Sequence, residues 1–193
     1  MINNQFQIYS DASLQNNKAG VAFIIQNQNS INKRCGLIYP YDTFTLELLA
    51  GLIPILYLSE AHNNSLSIEW FTDCQTIEKQ FNDLNSPKKI ENQQTNHLWQ
   101  VLKNIKTKCL LRVFYQERTN KNIQNCDKAS KWMSAKGEQI LQQYGEAHIG
   151  RNKIYNKELA WKIIDFREIN FSMNKENKSI NETVTAQIFK KIE

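Results

Sequence analysis

The stretch Gln5-Phe6-Gln7-Ile8-Tyr9-Ser10-Asp11-Ala12-Ser13 decides how this chain is read. Apolar and polar residues alternate over residues 5–10, with Phe6, Ile8 and Ser10 on one side, which is the two-residue period of a β-strand. Asp11-Ala12-Ser13 then breaks the alternation, and residues 14–18 read as a polar turn. A β-rich run covers residues 19–26. After the polar turn Asn27-Gln28-Asn29-Ser30, a third apolar piece covers residues 35–39. Three consecutive strands with short polar turns predict an antiparallel meander.

Beyond the meander the period changes. Over residues 43–60, Leu46, Leu49, Ala50, Ile53, Leu56 and Tyr57 recur at helical spacing. Thr43 or Thr45 can cap this helix, Glu47 falls in its first turns, and Pro54 predicts a kink or break. Residues 67–72 read as a fourth strand that ends at Asp73. Then come a short helix over 76–84, a loop rich in Asn, Gln and Lys over 86–96, and a helix over 97–105. A fifth strand covers 110–115, a polar loop 117–125, and a long helix 126–144. The order β-β-β-α-β-α-α-β-α implies an α/β fold. Its mixed five-stranded sheet combines the meander with parallel strands, flanked by helices. Residues 148–193 differ in character: Trp161, Ile163, Ile164, Phe166, Ile169 and Phe171 offer something to pack, whereas 174–182 is almost wholly polar and expected to be disordered. The expected organisation is one domain over 1–147 and a partly disordered C-terminal extension over 148–193.

Composition bounds the possibilities. The 193 residues suffice for one sizeable core, and 41% hydrophobic with 22% charged residues is ordinary for a soluble globule. No apolar run approaches the roughly 20 residues of a membrane helix; the longest, 46–58, contains Glu47 and Pro54 and suits a buried helix. The N-terminus lacks the pattern of a secretory signal. Cys35, Cys74, Cys109 and Cys126 form no Cys-x-x-Cys pair and have no histidine at zinc-finger spacing, so reduced thiols in a cytoplasmic setting are expected. The net charge of +5 permits a polyanionic partner. Trp70, Phe71, Trp99 and Trp132 read as packing residues.

Four acids stand out by position. Asp11 ends the first strand, Glu47 starts the first helix, Asp73 ends the fourth strand, and Asp127 begins the last long helix. Element ends are where α/β sheets place ligand sites. Clustered carboxylates raise one another's pKa, and divalent cations remove that conflict. Oxygen ligands suit magnesium or manganese, and two such ions can generate a hydroxide and stabilise the leaving oxygen of a phosphodiester. The competing reading of each acid is a turn former, a helix cap or a solvated surface charge.

Local wording adds to spacing. Ile8-Tyr9-Ser10-Asp11-Ala12-Ser13 followed by Ala19-Gly20-Val21-Ala22 resembles the opening of ribonuclease H. Thr45-Leu46-Glu47-Leu48-Leu49-Ala50 resembles that family's acid-bearing helix start, and Phe71-Thr72-Asp73-Cys74-Gln75 its strand followed by Asp-Ser-Gln. His97-Leu98-Trp99-Gln100 and Asn125-Cys126-Asp127-Lys128-Ala129-Ser130 are similar to its Leu-Trp helix and its final acid-bearing helix. The resemblance spans about residues 5–145. It implies the ribonuclease H-like fold, with Asp11, Glu47, Asp73 and Asp127 as catalytic ligands of two Mg2+ ions, for which Mn2+ can substitute. It also implies endonucleolytic hydrolysis of the RNA strand of RNA–DNA hybrids by a monomer, and nucleic-acid contacts from Ser13, Asn16, Gln75, Lys88 and Lys89.

The chain departs from the family pattern in three places. Where the family often carries a histidine before the last aspartate, this chain has Glu117, read as a loop residue, which predicts slower turnover. The basic protrusion of some bacterial members is reduced to residues 86–96 with Lys88 and Lys89. The tail has no counterpart, and its Arg151, Lys153, Lys157 and Lys162 are candidates for replacement phosphate contacts. A catalytically weak or inactive nucleic-acid-binding module is the alternative function. Within the same fold, exonuclease relatives are disfavoured by Asp11-Ala12-Ser13 in place of Asp-x-Glu, and integrase relatives by an aspartate, Asp127, as the last acid.

Overall fold

The computed structural model describes residues 4–38, 40–62, 66–83, 93–143, 148–154 and 157–165. Along the chain run β1 (Asn4–Gln15), β2 (Lys18–Gln26), β3 (Ile31–Ile38), α1 (Thr43–Ala61), β4 (Leu66–Thr72), α2 (Gln75–Asn82) and α3 (Gln93–Lys106). They are followed by β5 (Leu110–Tyr115), α4 (Lys121–Gln143), β6 (His148–Ile154) and β7 (Lys157–Asp165). The strands form one sheet in the order β5-β4-β1-β2-β3-β7-β6. β1, β2 and β3 form the expected antiparallel meander, and β4 and β5 add in parallel on the other edge of β1. This is the expected mixed five-stranded sheet, extended past β3 by the antiparallel pair β7 and β6. The sequence reading assigned no element to that stretch. The polar run 174–182 lies outside the described residues.

β1 does not break at Asp11. It continues through Asp11, Ala12 and Ser13 to Gln15, because β2 pairs with it along that whole length. The turn is only two residues long: Asn16 and Asn17 have φ of 49° and 57°, between the paired Gln15 and Lys18. A two-residue hairpin turn of this hand needs positive φ at both positions, and asparagine tolerates it better than most residues. The polar stretch that reads as a loop is therefore mostly strand.

α1 is capped by Asp42, ahead of the two threonines expected to do so. Asp42 accepts from the Thr45 backbone N–H at 3.0 Å and from the Thr45 hydroxyl. The helix runs unbroken through Pro54. Every residue from Thr45 to Pro54 is buried, so tertiary packing on nearly all sides holds the helix where a single proline would weaken an exposed one. By length and composition α1 could pass for a membrane-spanning segment, but here it is the core helix of the fold.

α1 packs on β1 and β2 from one side, and α4 packs on β1, β2 and β3 from the other. On the α1 side Trp70 is fully buried, its indole N–H donating to Ser10 Oγ at 2.8 Å. Gly51 makes that contact possible, since a Cβ there would come within 2.0 Å of the Trp70 ring. On the α4 side Tyr9, Ala22, Ile24 and Cys35 meet Ile123, Cys126, Ala129 and Met133. α4 starts five residues earlier than its apolar pattern suggests. Asn120 caps it, with Oδ1 accepting from the backbone N–H groups of Asn122 (2.9 Å) and Ile123 (3.3 Å). Asp127 therefore lies in the second turn and does not begin the helix. α3 likewise starts at Gln93, inside the expected loop.

Candidate active site

The parallel pairing of β1 with β4 ends at Ser10 and Thr72. Asp11 and Asp73 follow directly on these two strands, so the sheet itself sets them side by side. The corner at Asp73 is fixed from two directions. Thr72 Oγ1 accepts from the Cys74 N–H at 3.1 Å, and the Thr72 carbonyl accepts from the Gln116 N–H at 2.8 Å. Glu47 comes down onto the pair from the first turns of α1, where its carboxylate accepts from the Ala12 backbone N–H. Carboxylate oxygens of Asp11, Glu47 and Asp73 all lie within 4.8 Å of one another. Among the described residues this is the group of acidic, cysteine or histidine side chains positioned to hold a metal ion.

Two members of the cluster are deeply buried. Asp11 is 2% exposed and Glu47 7%. Burial pushes the Asp11 pKa up to about 7; the Ser130 hydrogen bond opposes the rise, while the charges of Asp73 and Asp127 add to it. Burial, then the charges of Asp11 and Asp73, holds Glu47 well above the usual carboxylate range. Glu47 Oε2 is buried with no hydrogen-bond partner among the described residues. An orphaned carboxylate oxygen beside two more carboxylates is a donor set that fits hard divalent cations.

Asp127 stands apart from this trio. It faces Lys131, whose ammonium lies 2.7 Å and 2.9 Å from its two carboxylate oxygens, and it reaches Asp11 through its charge. One turn along α4, Ser130 Oγ donates to Asp11 Oδ2 at 2.5 Å. Ser130 belongs to the quoted Asp127–Ser130 segment, and its i+3 relation to Asp127 was the signal that it shares that face. Arg118 is a second residue the sequence reading passed over: its Nε donates to Asp73 Oδ2. Glu117, which that reading weighed instead, is exposed in the loop, where its carbonyl accepts from the Asn120 N–H.

The candidate nucleic-acid contacts scatter around this site. Ser13 lies two residues beyond Asp11 on β1, and its hydroxyl meets that of Ser134 at 3.2 Å. Asn16 is exposed in the hairpin turn, and Gln75 is exposed at the start of α2. Lys88 and Lys89 lie outside the described residues. Arg151, Lys153, Lys157 and Lys162 fall on β6 and β7, across β1, β2 and β3 from Asp73. A cavity of about 460 Å³ lined in part by His62, Leu66 and Cys109 sits at the opposite end of β4, away from the acids.

No protein-family model matches the chain, and no curated protein matches it. Solved structures do. The LC11-RNase H1 structure in complex with an RNA/DNA hybrid has a TM-score of 0.57 at 16% identity, covering 69% of this chain and 99% of that one. This chain has the ribonuclease H fold. RNase H1 from the halophilic archaeon Halobacterium salinarum matches at TM-score 0.55 and 14% identity, over 66% of this chain and 96% of its own. The N-terminal RNase H domain of rv2228c from Mycobacterium tuberculosis matches at 0.52 and 10%, over 65% and 95%. The ribonuclease H fold thus accounts for about two thirds of the chain.

Proposed function

We propose that this protein is a metal-dependent endonuclease that cuts the RNA strand of RNA–DNA hybrids. The observation that carries the reading is the meeting of Asp11, Glu47 and Asp73 within 4.8 Å, with Asp11 and Glu47 buried and a single cation, Arg118, paired with the three. Nothing in packing calls for such a cluster, since buried like charges destabilise a fold unless cations join them. Asp11, Glu47 and Asp73 would hold two magnesium or manganese ions, with Asp127 as a further ligand once Lys131 turns aside. The ions would supply an activated water and a Lewis acid for the leaving oxygen. Ser130 holds the Asp11 carboxylate at a fixed orientation, and the Ala12 N–H does the same for Glu47. Ser13 and Gln75, beside Asp11 and Asp73, would contact the substrate, as Asn16 would further along the hairpin. The RNA strand would be told from DNA by its 2′-hydroxyls in the minor groove. The hybrid bound in the LC11-RNase H1 structure and the net charge of +5 support that class of partner. The four cysteines are free thiols, as a reducing compartment would keep them.

Incubation with labelled hybrid, RNA duplex and DNA duplex, with magnesium or with chelator, tests the reading. Magnesium-dependent cleavage of the hybrid is expected, and Asp11→Asn should abolish it. The absence of cleavage of all three substrates would sink the proposal. One observation favours a second reading, a binding module with little turnover: Asp127 is already paired with Lys131 and stands outside the trio. Hybrid binding without cleavage, unchanged by Asp73→Asn, would support it.

A further inference from the structure

The acid cluster carries its own cation. Arg118 lies in the loop between β5 and α4 and donates from Nε to Asp73 Oδ2. The Arg118 side chain is 70% exposed while that of Asp73 is 5% exposed, so the guanidinium covers the carboxylate from the solvent side. Its charge reaches further, lowering the proton affinity of both Asp11 and Glu47. The loop backbone is tied down on either side of Arg118, by Gln116 N–H to the Thr72 carbonyl at 2.8 Å and Asn120 N–H to the Glu117 carbonyl at 3.0 Å. The backbone therefore stays in place while a long, exposed side chain is free to rotate off the cluster.

We propose that Arg118 is a resident counter-cation of the metal site: it occupies Asp73 when no divalent ion is bound, and it must leave for an ion to bind. This rests on the metal-site reading above. Two physical facts favour it. A guanidinium stays charged at any working pH, so its presence beside Asp73 always opposes an incoming cation. An ion pair open to solvent on one side is weakly held, so an ion gathered by three carboxylates displaces it. Glu47 Oε2, buried in the same cluster without a hydrogen-bond partner among the described residues, shows that Arg118 leaves part of the acid set uncompensated. The guanidinium is thus a stopgap for the ions, and it sets how much free metal the protein needs.

Calorimetric titration of the whole protein with Mn2+ alone, without nucleic acid, tests this. Arg118→Ala should tighten ion binding by roughly 3- to 10-fold, the effect of removing one like charge from a partly exposed site. Arg118→Lys, which keeps the charge, should stay close to the unmodified protein. In thermal melts with chelator, Arg118→Ala should melt lower than the unmodified protein, and saturating Mn2+ should close that gap. If the unmodified protein binds Mn2+ and Arg118→Ala binds it equally or more weakly, the counter-cation role is wrong and the metal site stands. If the unmodified protein binds no Mn2+ at all, the metal site fails and this role fails with it.

Discussion

α1 and α4 cover opposite faces of the same strands, and each brings an acid towards β1, yet they are built to opposite rules. α1 is buried on nearly all sides from Thr45 to Pro54, and Glu47 goes down with it. α4 is buried along one stripe, Ile123, Cys126, Ala129, Met133 and Gly137, and its other faces meet water. Asp127, beside that stripe, takes Lys131 as a partner one turn away. An acid on an amphipathic helix finds a solvated counter-charge on its own helix. An acid on an all-apolar helix has none, and its charge must be met from elsewhere. The site's demand for cations is therefore concentrated at Glu47, Asp11 and Asp73.

The largest test of this contrast is steric. Gly51→Ala would set a methyl 2.0 Å from the Trp70 ring, which is fully buried with nowhere to move. Unfolding in denaturant should show a loss of about 3 kcal/mol. Gly20 plays the matching role under α4, where a Cβ would lie 2.1 Å from the Ser130 carbonyl and 2.6 Å from the Ser134 nitrogen. Gly20→Ala should cost about 2 kcal/mol and lift Ser130 from Asp11, and would reduce the proposed hybrid cleavage beyond what the stability loss explains. Equal, mild effects at both positions would show that neither helix is held as tightly as its glycine contact implies.

Next in size is pH. Folding raises the Asp11 pKa from 3.8 to about 7, so between those values the folded protein binds more protons than the unfolded chain. Asp11 alone should therefore make ion-free stability fall as pH rises from about 4 to about 7, by at most about 1.4 kcal/mol per pH unit, and Glu47 acts in the same direction. Saturating magnesium should flatten the profile. A profile that rises over this range would mean that the carboxylates find compensation inside the protein.

Smaller again is a direct comparison of the two helices' acids. Without metal, Glu47→Gln takes a buried carboxyl out of the repulsion of Asp11 and Asp73 and should stabilise the protein by about 1 kcal/mol. Asp127→Asn removes only the half-exposed pair with Lys131 and should cost less than about 0.5 kcal/mol. If the signs are reversed, the two helices do not differ in the way described.

These contrasts also explain what the sequence could reveal. β5 matches its expected bounds because the buried residues Leu111 and Val113 alternate with more exposed neighbours. α1 was legible from its spacing even with Pro54 inside it. The far half of β1 was hidden because Asp11, Ser13 and Gln15 are polar residues in a strand, held there by β2. The first turn of α4 was hidden for a similar reason: the hydrogen bonds of Asn120 hold it, and of Lys121–Asn125 only Ile123 is apolar. Asp11, Glu47 and Asp73 were legible because each sits where an element begins or an interstrand pairing stops. Arg118 was not, because its pairing with Asp73 joins loops 45 residues apart, and no local pattern encodes that.

The path of the chain through the sheet has a consequence in time. β1 closes on β2 through a two-residue turn, whereas its pairing with β4 spans the whole of α1, with Asn4 opposite Leu66. Local hairpins form quickly, and distant parallel pairings wait on the closure of long loops. Asp11 and Asp73 become neighbours through that long-range pairing, so their meeting is expected late in folding. A divalent ion held between them would thus be captured after the slow step of folding, leaving the folding rate unchanged while slowing unfolding and lengthening the lifetime of the native state.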